Sequence, residues 1–316
     1  MITIVIPYYK IVFFRETLLS LANQTDQSFH VYIFDDNSPD DPRDLLLEFE
    51  ERFSFSYHKF TENIGCISLP SQWKRCLDLI KREEWCMILG DDDVLEKNVI
   101  QDFHHHLNEI NRSNIDVVRF STVVIDENNN KISNAFTHPI IENSVDSLMR
   151  KIKNLTRSSL SEYMFRTNNF DHYTFKDYPN GLFSDDILIL NHTSFKKIFT
   201  INSSVVKIRK SKVNLSGELK LDNRDVSLLQ FYKTLLIELK EKFDKSQITY
   251  IEYKLEREVF NHTKISILIF LTKYYLRHFK FLKLISLVSR IIIKVPKLIF
   301  QSLTKKGNSF QFIIRL

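Results

Sequence analysis

The first 125 residues alternate short apolar runs with segments whose apolar positions recur at helical spacing. Ile2 to Ile6 is the β-branched run expected of a buried parallel strand, with Pro7 as its stop. Arg15 to Ala22 predicts a helix, and His30 to Phe34 a second strand. A turn rich in Pro and Asp (Pro39 to Pro42) then leads to a helix over Arg43 to Arg52. Ser54 to Phe60 reads as a third strand, Ser71 to Lys81 as a helix, and Trp85 to Leu89 as a fourth, short strand. The clearest helix follows, with Leu95, Val99, Ile100, Phe103, Leu107 and Ile110 on one face. Asp116 to Ile125 is again a strand. Such alternation predicts a doubly wound α/β sheet. Residues 140–215 are mixed, with a helix expected over Asp186 to Phe199 and a strand over Val205 to Arg209. From Val226 onward the pattern is mostly helical.

Composition narrows the class. Hydrophobic residues are 43% and charged residues 26% of 316, which supplies a sizeable core and excludes global disorder. Cys66, Cys76 and Cys86 form no CxxC pair, which suits a reducing compartment better than a disulfide framework. With His104, His105 and His106 they match no zinc spacing, and those histidines lie mostly off the apolar helix face, as solvated residues would. The N-terminus shows no secretory pattern and no apolar run reaches about 18 residues, so neither a signal nor a membrane span is expected.

Two acidic clusters stand at predicted strand ends, Asp35-Asp36 after the second strand and Asp91-Asp92-Asp93 after the fourth. In open parallel sheets ligands sit beyond the carboxyl ends of the strands. Successive carboxylates on an apolar strand repel one another, and a hard divalent cation with phosphate as its remaining ligand relieves that cost. The plainer alternative is a solvated turn that also caps the helix at Leu95.

Ile4-Val5-Ile6-Pro7-Tyr8-Tyr9, Ser20-Leu21-Ala22-Asn23-Gln24-Thr25 and Asp35-Asp36-Asn37-Ser38 resemble the opening of glycosyltransferase family 2. Glu62-Asn63-Ile64-Gly65 and Ile88-Leu89-Gly90-Asp91-Asp92-Asp93 continue it in the same order, specifically over about 1–100 and more weakly to about 217. The resemblance implies a GT-A-like fold, a mostly parallel sheet flanked by helices, with a nucleoside-diphosphate sugar donor (a UDP-sugar favoured). It also implies Mn²⁺ or Mg²⁺ and, usually, inversion at the anomeric carbon. Carried over by position, Asp35 and Asp36 would contact base and ribose, with Pro7, Tyr9 and Asn63 in the donor pocket. The family's D-x-D falls on Gly90-Asp91-Asp92, so its first carboxylate is missing. Asp92 is then the metal ligand, Asp91 shares the metal and donor roles, and Asp93 assists the metal or caps the next helix. The acidic pair that supplies the base is similar to Ser184-Asp185-Asp186, with Asp186 the closer match and Asp185 the other member; an acidic helix cap is the alternative. Arg209, within the basic run Lys207 to Lys212, resembles a clamp for the diphosphate, or lies in a solvated basic loop.

The net charge of +5 is uneven. No acid follows Glu258, and eleven Lys and Arg give the last 58 residues +11, leaving −6 for the rest. Apolar and basic residues interleave over 264–300, as in a helix lying in an anionic membrane interface. A core-packing helix with a basic rim is the alternative, and nucleic acid is not expected as a partner, since no binding motif accompanies the charge. The expected organisation is a GT-A-like catalytic domain over 1–217, a helical extension over 218–258 and a basic amphipathic tail over 259–316. The expected function is a metal-dependent, inverting transferase acting on a saccharide or lipid-linked acceptor for surface polysaccharide, cytoplasmic and peripheral at the inner face of the cell membrane. A catalytically silent nucleotide-sugar binder and a metal-dependent phosphohydrolase are the rival classes.

Overall fold

A computed structural model describes residues 2–80, 83–171, 175–212, 221–262 and 265–292. They fall into two compact units, Met1–Phe243 and Asp244–Leu316.

The first unit is built on one mixed sheet. β1 (Ile2–Tyr8), β2 (Phe29–Asp35), β3 (Phe55–Lys59) and β4 (Trp85–Ile88) lie side by side in the order β3-β2-β1-β4, all parallel. α1 (Phe14–Ala22), α2 (Arg43–Leu47) and α3 (Leu69–Leu79) make the crossovers. Next come the short β5 (Val94–Leu95), α4 (Val99–Arg112) and β6 (Val117–Ile125), then β7 (Ile141–Asn143), α5 (Ser144–Ile152), β8 (Tyr163–Arg166), α6 (Ser184–His192) and β9 (Lys197–Arg209). β8 runs antiparallel between β4 and β6, β9 is parallel to β6, and β5 and β7 pair antiparallel with β9. Along β1, Ile4 and Ile6 bury on one face with Leu18, Ile33 and Phe103, while Val5 buries on the other with Phe34, Cys76 and Ile88. Both faces being covered is why the central strands read as continuous apolar runs rather than alternating ones.

Several boundaries differ from those the sequence predicts, each for a local reason. β1 continues through Pro7 to Tyr8. Val5 O accepts from Leu89 N on the β4 side, and Pro7 shares that orientation but lies beyond the last β1–β4 pair, Val5–Ile88. The N–H that proline lacks has no ladder partner to lose there. Leu95 is in β5, against Val206, and α4 starts at Val99 after Asn98, so Asp93 caps no helix. α6 stops at His192 rather than Phe199, because Ser194 and Phe195 take positive φ (47° and 60°) and turn the chain into β9. The expected strand over Val205 to Arg209 is the end of β9, whose pairing with β6 jumps from Ile201 to Val205 and leaves Asn202, Ser203 and Ser204 looped out.

The division into units also departs from the expected boundaries at 217 and 258. α7 (Leu221–Lys233), continued by a π-helical turn over Thr234–Glu238, belongs with the first unit. α8 (Lys245–His262) belongs with the second, together with α9 (Ile265–Arg277) and a helical stretch over 281–292. In that unit the carboxylate of Glu252 pairs with Lys280 and Lys283, and Glu256 with Arg290 at 2.8 Å and Tyr275 Oη at 2.7 Å. These cations therefore face α8, while Phe279, Leu282, Ile285 and Ile292 face outward. Among the described residues, no helix is long and apolar enough to cross a membrane. Residues 293–316, with the end of the basic tail, lie outside the described residues.

Candidate active site

The carboxyl ends of β1, β2 and β4 open on one edge of the sheet, so the loops after them converge. They form, with the start of α6, the segment before β8 and the end of β9, a pocket of about 700 Å³. Pro7, Tyr9, Asp36, Asn63, Asp91, Asp92, Asp93, Asp185 and Arg209 all line it. Asp35 and Asp186 do not.

At the β2 end the two acids divide. Asp35 is fully buried and accepts from Ser38 N (2.6 Å) and Tyr57 Oη (2.6 Å), which fixes the turn after β2. Expected as a donor contact, it lies behind the pocket wall. Asp36 sits on the pocket wall and accepts from Ile64 N (2.9 Å) and Gly65 N (2.8 Å), with Arg75 on Oδ1. Burial raises its pKa against those donors and the Arg75 charge. The approach is close enough to require Gly65, since a Cβ there would lie 2.4 Å from Asp36 Oδ2. Asn63 Oδ1 caps Cys66 N at 2.9 Å, so the Glu62-Asn63-Ile64-Gly65 stretch is held as one turn against Asp36.

The three acids after β4 also have separate surroundings. Asp91 Oδ2 accepts from Tyr9 N (2.7 Å) and Lys10 N (2.8 Å) and so anchors the loop after β1; burial pushes its pKa up to about 6 against these bonds. Asp93 Oδ1 accepts from Arg209 N at 2.9 Å. Asp92 lines the pocket, and no other described residue donates a hydrogen bond to its carboxylate. Burial, then the charges of Asp93 and Asp91, push it well above the usual carboxylate range, with Arg209 opposing. Gly90, where the family's first carboxylate would stand, leaves room for the other two: a Cβ there would meet Asp92 Oδ1 and Asp93 Oδ2, each at 3.1 Å. Among the described residues, no three acidic, His or Cys side chains converge to hold a metal ion. Asp92 is the carboxylate of the three left open to the pocket, and one or two carboxylates with phosphate and water are a usual divalent-cation shell. Asp91 and Asp93, expected as further metal ligands, are engaged by backbone N–H groups.

Arg209, expected as a diphosphate clamp, lines the pocket and is held in place there. It is 2% exposed; its Nε donates to Asp92 O, Nη1 to Asp126 O and Nη2 to Asn129 Oδ1, and it stacks over Phe13. Side chain and backbone together tie the end of β9 to the acidic loop.

On α6, Asp185 faces the pocket and Asp186 faces α5. Both oxygens of Asp186 accept from Lys151 Nζ, at 2.6 and 2.7 Å. Burial lowers the Lys151 pKa, but Asp186 and then Asp185 more than reverse this, and the ammonium stays charged. Ser184, which would be the capping residue in the alternative reading, has a buried hydroxyl without a partner among the described residues. Lys151, Arg157, Ser159 and Ser161 on the same wall were not foreseen from the sequence. The polar run Thr156 to Ser159 before β8 was their one visible signal.

The family model for glycosyl transferase family 2 matches residues 3–198. No curated protein sequence matches the chain. Among solved structures, S. aureus TarS 1-349 in complex with UDP-GlcNAc is similar at TM-score 0.61 and 14% identity, over 82% of this chain and 73% of that one. The same fragment with UDP gives 0.58 and 14%, over 83% and 72%. GalNAc-T7 with UDP, GalNAc and Mn²⁺ gives 0.50 and 10%, over 83% and 57%. These likenesses establish the sheet-and-helix arrangement as that of the GT-A fold. On the match to its family model, the chain belongs to glycosyl transferase family 2 and is a glycosyltransferase.

Proposed function

We propose that the protein transfers a sugar, with inversion, from a UDP-sugar to a saccharide or lipid-linked acceptor used in surface polysaccharide. The observation that carries this reading is that Asp92 and Asp185 line one pocket while their neighbours Asp91, Asp93 and Asp186 are engaged elsewhere. One carboxylate remains for the cation and one for a proton. The TarS and GalNAc-T7 complexes, which hold UDP or UDP-GlcNAc, support the choice of donor.

Asp36, Asn63, Pro7 and Tyr9 form the end of the pocket suited to the nucleoside, and Asp92 would hold a Mn²⁺ or Mg²⁺. The bound ion supplies electrostatic stabilisation of the diphosphate as negative charge grows on it. Asp185 accepts the proton of the acceptor hydroxyl while that oxygen bonds to the anomeric carbon. The bond from that carbon to the diphosphate oxygen breaks, and its electron pair leaves with UDP. Lys151, held by Asp186 beside Asp185, fixes the wall on which the acceptor lies.

The second unit supports a peripheral place at the inner face of the membrane. Leu282 is 84%, Ile285 64% and Ile292 65% exposed on one side of the 281–292 helix, and Lys273 and Arg277 are exposed on α9. An apolar face with cations and no acid suits an anionic interface.

The test is to incubate the protein with a panel of UDP-sugars and Mn²⁺, follow UDP release with oligosaccharide and lipid-linked acceptors, and read the anomeric configuration of the product by NMR. Acceptor-dependent release with an inverted product is expected. Release that no acceptor accelerates would favour a hydrolase, and retention would overturn the role given to Asp185.

A further inference from the structure

The chain leading into α6 is held in an unusual backbone. Asn180, Gly181 and Phe183 all have positive φ (57°, 65° and 66°) within four residues, and Asp185 lies two residues beyond Phe183. A phenylalanine rarely adopts that region, so its neighbours must hold it there.

They are found on α7 and its π-helical turn. The Phe183 ring stacks on Phe231, with centroids 4.6 Å apart and planes at 15°. Tyr178 Oη donates to Thr234 Oγ1 at 2.8 Å, and Ser227 Oγ donates to Pro179 O at 2.8 Å. On its other side the same turn meets α3, where a Cβ on Gly181 would lie 3.1 Å from both Leu69 Cβ and Trp73 Cη2. Phe231 is 2% exposed and does not line the pocket. It supports the turn from behind.

We propose that Phe231 is a positioning residue for the transfer. Its ring holds Phe183 in the left-handed conformation that starts α6 one residue before Ser184. Because successive helical residues are rotated by about 100°, that start decides which of the two acids faces the pocket. The stack thus directs Asp185 at the acceptor and leaves Asp186 to Lys151. The inference rests on the reading of Asp185 as the base.

The experiment compares Phe231→Leu, Phe231→Tyr, Asp185→Asn and the double variant Asp185→Asn/Phe231→Leu in the full chain. UDP binding is measured by calorimetry with Mn²⁺. Turnover is followed as UDP release from whichever of UDP-GlcNAc, UDP-GalNAc, UDP-glucose or UDP-galactose the wild type consumes. Phe231→Leu keeps most of the core volume but loses the stack; kcat should fall about ten- to a hundredfold, as small misplacements of a reacting group do, with UDP affinity unchanged. Phe231→Tyr, which keeps the ring, should restore kcat. In the double variant Phe231→Leu should cost nothing more, because the group it aims is already gone. Wild-type kcat in Phe231→Leu, equal loss of UDP affinity and kcat, or multiplying losses in the double variant would overturn the proposal. A fully active Asp185→Asn would overturn the base assignment itself and the proposal with it; that result is read from the single variant alone, so the two failures are distinguishable.

Discussion

At the scale of single residues, the site is defined by which of several equivalent-looking carboxylates is left without a protein partner. The acids after β2 and β4 were legible as strand-end residues, because strand ends follow from apolar runs, while the α6 pair came from the family resemblance alone. The resemblance alone ranked Asp92 over Asp91 and Asp186 over Asp185, without the surroundings that rank them in the structure. That ranking depends on groups distant in sequence: Tyr9 and Lys10 for Asp91, Arg209 for Asp93, Lys151 for Asp186. The two members of the α6 pair should fail differently. Asp185→Asn should lower turnover by about 10² to 10⁴ with the melting temperature and UDP affinity unchanged. Asp186→Asn leaves the Lys151 ammonium half-buried without its counter-ion, and should cost about 3–5 kcal/mol of stability by denaturant titration. Reversal of these phenotypes would return the base to Asp186.

At the scale of elements, β1 and β4 were legible as continuous apolar runs because both their faces are buried, while β3, at the sheet edge, is nowhere fully buried. In the second half of the sheet only β6 and the end of β9 were legible. β9 is interrupted by the polar Asn202, Ser203 and Ser204, and β8 gave no signal distinct from its mixed surroundings. The long-range tie made by Arg209 was hidden for the same reason, and a basic run with hydroxyls looked like a phosphate clamp. Arg209→Lys separates the two roles. A clamp would tolerate lysine with modest loss of donor binding. The structural tie loses its bonds to Asp92 O, Asp126 O and Asn129, so Arg209→Lys should be destabilised by about 2–3 kcal/mol, with donor affinity falling as the acidic loop loosens. Wild-type stability with weakened UDP binding would restore the clamp.

At the scale of the whole molecule, charge counting located the basic tail but not its partners. Glu252 and Glu256, before the acid-free stretch, draw Lys280, Lys283 and Arg290 toward α8 and leave the apolar side outward. Membrane association should therefore depend more on apolar contact than on charge. Binding of the full chain to phosphatidylglycerol vesicles should survive 1 M salt, where the Debye length is about 3 Å. Leu282→Glu with Ile285→Glu should abolish it, since each buried side chain of this size is worth about 1.5–3 kcal/mol. Loss of binding in salt with no effect of the double substitution would favour a purely electrostatic anchor. The central claim, however, concerns the pocket in the first unit, and one calorimetric measurement addresses it most directly: UDP titrated into the full chain with Mn²⁺, then with a chelator, for wild type and Asp92→Asn. The account predicts that wild-type binding weakens at least about tenfold on chelation, a change of about 1.4 kcal/mol, and that Asp92→Asn binds weakly with or without the ion. Equal UDP affinity in all four titrations, or none in any, would contradict it.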